Sequence, residues 1–380
     1  MKIWRALANE IKEKLHQSNK IIILYGPRQV GKTTLCKDIM RESGLHTLYI
    51  NADEAQYSEA LSSRDAKKLT DLTVGYELLI IDEAQRVRDI GINLKILSDA
   101  HTGVKIIATG SSSFELANKI SEPLTGRHWT YFLYPIAELE RKHHWNDFEL
   151  ASTLEERLVW GSYPETFSLA GEERMSYLRT LASDYLYKDI LALQDVRHAN
   201  KIRDLLKLLA FQIGNQVSLS ELASSLEMSK ETVARYIDLL EKTFVLFRLA
   251  GFSRNLRKEI TKTQKYYFYD VGLRNSVIDN FKSLTDRADT GVLWENFLFM
   301  ERVKRNAYYK THISSYFWRT YTGAEIDYVE EDGGSLRGYE FKWGDRPKRP
   351  SAPRAWVSAY PDAAYNVINR ENYLDFIATA

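Results

Sequence analysis

The chain has 380 residues, 44% hydrophobic and 27% charged, with a net charge of +1, the balance of a globular protein of about two or three domains. A total so near neutrality excludes a globally basic nucleic-acid binder, so any phosphate-binding surface has to be a local patch. Cys36 is the only cysteine, which excludes an internal disulfide framework and gives no sign of an oxidising compartment. Ile3, Trp4, Leu7, Ile11 and Leu15 recur at helical spacing, interrupted by Arg5, Glu10 and Lys12. This pattern predicts an amphipathic helix rather than a secretory signal. No run is long enough to span a bilayer, so a cytoplasmic location without a membrane partner is expected. The 23 Tyr and 8 Trp fit stacking surfaces for bases or aromatic cores, the cores being the commoner cause.

The apolar run Ile21 to Tyr25 reads as a strand buried on both faces. It leads into Gly26-Pro27-Arg28-Gln29-Val30-Gly31-Lys32-Thr33-Thr34, a G-x-x-x-x-G-K-[ST] phosphate loop opening a helix. The glycines let successive N–H groups point into one anion-sized hollow. Lys32 reaches the terminal phosphates, Thr33 binds Mg²⁺, and the helix N-terminus adds its dipole. The stretch predicts a site for a nucleoside triphosphate, with ATP the expected ligand.

Thr47 to Ile50 predicts a second strand, and Glu77 to Ile81 a third that ends in Asp82-Glu83. Asp82 is the expected holder of Mg²⁺, and Glu83 the expected base for the attacking water. An acidic N-cap for a helix beginning near Ala84 is compatible with both roles. Val104 to Thr109 predicts a strand with a polar tip, Gly110-Ser111-Ser112-Ser113. If that strand lies between those carrying Lys32 and Asp82, Ser111 is a candidate γ-phosphate sensor; a serine-rich N-cap is the alternative. Leu124-Thr125-Gly126-Arg127 precedes a strand-like His128 to Phe132. Arg127 is a candidate to neutralise transition-state charge, in cis or from a neighbouring subunit of a homo-oligomer. The plainer alternative is a surface ion pair.

The motifs GPRQVGKTTL, LLIIDEAQ, ATGSSS and LTGR, followed by GSYPE and YYFYDVGLRN, resemble the prokaryotic AAA-type ATPases with a nuclease-like C-terminal domain of unassigned function. The resemblance covers nearly the whole chain. It implies a P-loop ATPase core, a helical and winged-helix middle and a PD-(D/E)xK-like end, and it supplies no substrate.

Lys142 to Thr153 is polar and turn-like, a linker in which His143-His144 reads as solvated rather than metal-binding. Leu154 to Leu193 reads as helices broken at Gly161-Ser162-Tyr163-Pro164 and at Gly171. From Lys201 three helices follow. Ser218 and Glu221 form a capping box for the second, and Ser229 caps the third, Thr232 to Lys242. Phe244 to Leu249 and Tyr266 to Tyr269 are the expected wing. Between them stand Arg248, Arg254, Arg257, Lys258, Lys262 and Lys265 against one acid, Glu259. Such a patch suits phosphate contacts, with DNA favoured, although winged helices also dock proteins.

Gly291 to Met300 predicts a buried helix whose only charge is Glu295. Downstream, Ala324 to Val329 and Leu336 to Trp343 flank Asp332-Gly333-Gly334-Ser335, a hairpin signal. With Gly333 and Gly334 as the loop, Asp327 faces Glu340 and Glu325 faces Lys342. Directly opposed acids call for a cation or a proton. Glu295, Asp327 and Glu340 are therefore the expected Mg²⁺ or Mn²⁺ ligands, with Lys342 beside an attacking water, as in the nucleases the C-terminal part resembles. A plain Glu325–Lys342 ion pair is the alternative. The expected architecture is α/β: a P-loop core with a parallel sheet over 1–141, a helical connector over 142–195, a winged helix over 196–270 and a restriction-endonuclease-like domain over 271–380. The expected function is ATP hydrolysis coupled to binding or cutting nucleic acid. The alternative is an ATP-driven switch or protein-remodelling factor whose C-terminal domain binds without cleaving.

Overall fold

The computed structural model describes residues 3–100, 103–111, 123–184, 199–253, 264–344 and 351–379. They form two compact units, Trp4–Pro135 with Lys242–Phe244, and Ile136–Glu241 with Val245–Ala380 and Met1–Ile3.

The first unit is an all-parallel five-stranded sheet in the order β2-β3-β4-β1-β5. The strands are β1 (Ile21–Tyr25), β2 (Thr47–Asn51), β3 (Leu78–Asp82), β4 (Lys105–Gly110) and β5 (His128–Phe132). Every residue of β1 and β3 is buried, which is why their sequences run apolar without alternating. The N-terminal helix covers Leu7–Gln17 and buries Leu7, Ile11 and Leu15. After β3 the expected helix is only a 3-10 turn, Ala84–Arg86, and Ile90–Asp99 is the helix proper. Because β4 lies between β1 and β3, the tips carrying Lys32, Ser111 and Asp82 adjoin at one end of the sheet.

The second unit carries a seven-stranded mixed sheet in the order β12-β11-β10-β9-β7-β8-β6. Its strands are β6 (Gln216–Val217), β7 (Leu246–Gly251), β8 (Gln264–Phe268), β9 (Ser314–Arg319), β10 (Glu325–Asp332), β11 (Ser335–Phe341) and β12 (Ala364–Ile368). The helices Ala199–Phe211, Leu219–Ser225 and Lys230–Lys242 precede β7, the last two capped by Ser218 and Ser229 as their sequences predict. The β7–β8 hairpin is not a free wing, since β7 also pairs in parallel with β9. The boundary expected at 270/271 is therefore crossed by a continuous sheet. The linker expected over 142–153 contains a helix, Asp147–Ser152, closed by a capping box at Asn146.

The GSYPE and YDVGLRN motifs meet inside this unit. Asp270 accepts hydrogen bonds from the Ser162 and Leu273 amides at 2.6 and 3.0 Å, while Asn275 donates to the Leu158 and Val159 carbonyls. A Cβ on Gly272 would lie 2.2 Å from the Trp160 carbonyl oxygen, so only glycine permits that approach. These motifs lock the helix Leu154–Trp160 against Val271–Val277. Among the described residues no helix is long and apolar enough to cross a membrane.

Candidate nucleotide site and a C-terminal carboxylate cluster

The loop from Gly26 to Gly31 joins β1 to the helix Lys32–Ser43. A Cβ on Gly26 would lie 2.2 Å from the Leu133 carbonyl oxygen, and Gly31 has φ +96°; both positions exclude side chains. Gln29 also takes a left-handed backbone, φ +59°. Arg5 clamps the loop from outside, donating to the Val30 carbonyl at 2.7 Å and the Tyr134 carbonyl at 2.6 Å. The sequence offered only an interruption of an apolar face at Arg5.

Lys32 is buried, and its ammonium donates to the Gly26 and Pro27 carbonyls at 2.8 Å each. Burial pushes it down to about 8, against the pull of Glu83 and Asp82. Thr33 Oγ1 donates to Asp82 Oδ2 at 2.6 Å, and so does the Tyr49 hydroxyl. Thr109 Oγ1 donates to the other oxygen, Oδ1. Burial pushes the Asp82 carboxyl up, but the hydrogen bonds from Thr109, Thr33 and Tyr49, together with Lys32, hold it below the usual range. Tyr49 and Thr109 were not picked out from sequence, since a strand Tyr or Thr has no local mark of function.

Glu83 has φ +55° and makes no capping bond. Its Oε2 accepts from the Gln85 amide and lies 3.4 Å from Ser111 Oγ. Gln85 also donates to Ser111 Oγ at 3.2 Å, so Glu83, Gln85 and Ser111 form one polar cluster beside Asp82. Ser112 and Ser113 lie outside the described residues.

Arg127 is at the wrong end. Its carbonyl accepts from the Ile21 amide, where β1 begins, whereas the phosphate loop follows the far end of that strand. Five residues at ~3.3 Å put about 17 Å between them, more than an arginine side chain spans. The guanidinium instead pairs with Asp99 on an exposed surface at 3.2 Å. The cis role is corrected accordingly.

In the second unit the C-terminal residues come together, with an uninvited lysine among them. β10 and β11 pair Tyr328 with Tyr339 and Asp332 with Ser335, the expected register. Asp327 Oδ2 accepts from the Phe341 amide at 2.8 Å. Burial, with Glu295 and Glu340 nearby, pushes Asp327 up to about 8. Lys342 pairs with Glu340 at 2.6 Å, not with Glu325. Lys265, expected on a basic wing, is instead 1% exposed and lies 3.2 Å from Glu295 and 2.7 Å from Glu325. Arg248 faces Glu241 at 3.4 Å, and Arg254, Arg257, Lys258 and Lys262 lie outside the described residues. Among the described residues no group of three or more His, Cys, Asp or Glu side chains is placed to hold a metal ion.

Residues 18–140 match the family described as an AAA domain. The loop and strand geometry above is that of a P-loop nucleotide-binding core, and this stretch is similar to that family. Residues 151–284 and 290–376 match two domains of unknown function, DUF8612 and DUF4143. The chain is 29% identical over 367 residues to an uncharacterized protein of Mycobacterium tuberculosis, covering 94% of this chain and 77% of that one. It is 28% identical over 332 residues to an uncharacterized protein of Methanocaldococcus jannaschii, covering 75% and 69%. Among solved structures, the RuvB Holliday junction branch migration motor of Thermotoga maritima overlays with a TM-score of 0.30 at 16% identity, covering 65% of this chain and 90% of that one. DnaA of Aquifex aeolicus overlays at 0.28 and 16%, covering 62% and 86%.

Proposed function

We propose that this chain hydrolyses ATP with Mg²⁺ and uses the cycle to govern binding of nucleic acid, DNA foremost, without cutting it. The observation that carries the ATPase part is the convergence of Lys32, Thr33, Asp82 and Glu83 at one end of a parallel sheet, with Thr33 hydrogen-bonded to Asp82. A hydroxyl and a carboxylate kept ionised form an all-oxygen donor pair suited to Mg²⁺. Thr33 and Asp82 would hold the ion, which would offset the charge of the phosphates when bound. Lys32 would exchange the Gly26 and Pro27 carbonyls for terminal phosphate oxygens. Glu83 would orient the attacking water and take its proton, with Gln85 and Ser111 fixing its carboxylate.

The nucleic-acid part rests on the capped helices Leu219–Ser225 and Lys230–Lys242, read as a helix-turn-helix whose following β7–β8 hairpin is built into the larger sheet, and on the basic run Arg254 to Lys262 in the sequence. Action as a homo-oligomer belongs to the same reading. Cleavage is left out because the carboxylates expected to hold a metal are already engaged by Lys265, Tyr267, Lys342 and a backbone amide. The test is steady-state ATP turnover with and without duplex DNA over a series of salt concentrations. Stimulation that falls linearly with the logarithm of salt is expected. Turnover indifferent to DNA and RNA at every salt concentration would leave the ATPase and transfer the output to a protein partner.

A further inference from the structure

We infer that Lys265 is the resident cation of the C-terminal carboxylate cluster, standing where the resemblance to metal-dependent nucleases would place a divalent ion. The inference deepens the part of the proposed function that leaves out cleavage, and its readout is metal binding rather than ATP turnover.

Lys265 is not a surface lysine that folds inward at will. It sits in β8 between two neighbours, paired with Gln216 of β6 on one side and Leu249 of β7 on the other. Side chains two apart on a strand share a face. Lys265 and Tyr267 accordingly both reach Glu295 Oε1, at 3.2 and 2.6 Å. The ammonium also pairs with Glu325 at 2.7 Å. Glu295 is closed off on another side, where a Cβ on Gly214 would lie 3.1 Å from Oε1.

A buried carboxylate needs a charge partner or hydrogen bonds in place of water. Here the partner is covalently tethered, always present and 1% exposed. A divalent ion entering this space would have to meet an ammonium at close range, and like charges at that distance repel in a partly buried site. The donor set therefore does not fit a metal while Lys265 is in place. Removing the ammonium leaves Glu295 and Glu325 without their shared cation, with Asp327 nearby, and a divalent ion becomes the fitting replacement.

The experiment titrates Mn²⁺ into nucleotide-free full-length protein and follows free Mn²⁺ by electron paramagnetic resonance. All proteins carry Asp82→Asn, which removes the candidate metal-holding carboxylate at the end of β3. The parent should bind no Mn²⁺ that depends on Asp327, so adding Asp327→Asn should leave its titration unchanged. Lys265→Met should gain one equivalent bound about tenfold more tightly or better, and the gain should vanish with Asp327→Asn. A parent that already binds Mn²⁺ and loses it with Asp327→Asn overturns the inference. So does a Lys265→Met variant that folds by circular dichroism and gains no Mn²⁺. If Lys265→Met does not fold, the parent still decides: an Asp327-dependent signal overturns the inference. No such signal, together with misfolding once the ammonium is removed, is what an internal counter-ion requires.

Discussion

Glu83 sits at φ +55° where β3 ends, a backbone region that non-glycine residues seldom occupy without a reason in the surrounding structure. The reason is visible in its carboxylate, held by Gln85 within reach of Ser111 and beside the Asp82–Thr33 pair. In the proposed cycle Lys32 and Glu83 would divide the work, one contacting phosphate and the other activating water. Glu83→Gln should keep ATP affinity within about twofold and lower turnover by about 10²–10⁴, whereas Lys32→Ala should lose nucleotide binding; nucleotide titration and single-turnover hydrolysis separate the two effects. Equal turnover by Glu83→Gln and wild type would remove Glu83 from the mechanism. Arg127 offers the contrasting case. Exposed, paired with Asp99 and at the other end of β1, it should tolerate Arg127→Ala with turnover changed by less than about twofold. At this scale the sequence spoke clearly for residues with a spacing rule and not for the others. Gly26, Gly31, Lys32 and Thr33 sit at fixed intervals dictated by a phosphate, whereas Tyr49, Thr109 and Arg5 enter the site through pairing and packing that no local pattern records.

The helix Thr290–Tyr308 shows the same limit across a whole element. Its first half is apolar and legible as buried; its second half carries Glu301, Arg302, Lys304 and Arg305, which are all buried as well. Each finds a partner, Arg302 and Arg305 elsewhere in the unit and Glu301 and Lys304 in one another on the same helix. Arg302 meets both oxygens of Glu330 at 2.7 and 2.9 Å, and Lys304 meets Glu301 at 2.6 Å. Glu330 is 0% exposed and accepts further bonds from Asn306, Tyr328 and Tyr339. The Arg302–Glu330 pair is revealed only by the register that brings β10 to the helix, and hydrophobic periodicity is blind to it. Breaking a buried pair leaves one charge uncompensated, so Arg302→Met should destabilise this unit by about 3–5 kcal/mol. Glu330→Leu should cost a similar amount. The double variant should recover only part of the loss, because Asn306, Tyr328 and Tyr339 keep buried donors without their acceptor. Urea midpoints of the four proteins provide the check; strict additivity of the two single costs would show that the pair is not energetically coupled.

At the scale of the whole molecule, the proposed cycle makes a demand that static geometry does not. If ATP in the first unit alters nucleic-acid affinity in the second by some factor, nucleic acid must alter ATP affinity by the same factor, because the two routes to the doubly bound state have one free energy. Glu83→Gln makes this measurable, since it is expected to hold ATP without consuming it and so allows equilibrium titrations in both directions. DNA dissociation constants with and without ATP, and ATP dissociation constants with and without DNA, should give matching ratios of roughly 5–150-fold. The ratio should persist as salt rises even while DNA affinity itself falls, because counterion release is common to both nucleotide states. Replacing Arg254, Arg257 and Lys258 with Ala should weaken DNA binding about uniformly across sequences and flatten its salt slope. These residues stand in the run Arg254 to Lys262, where four basic side chains face one acid, Glu259. A ratio of one in both directions, with DNA binding intact, would mean that ATP and DNA are bound independently. The ATP-driven output would then have to be sought in a docked protein rather than in nucleic acid.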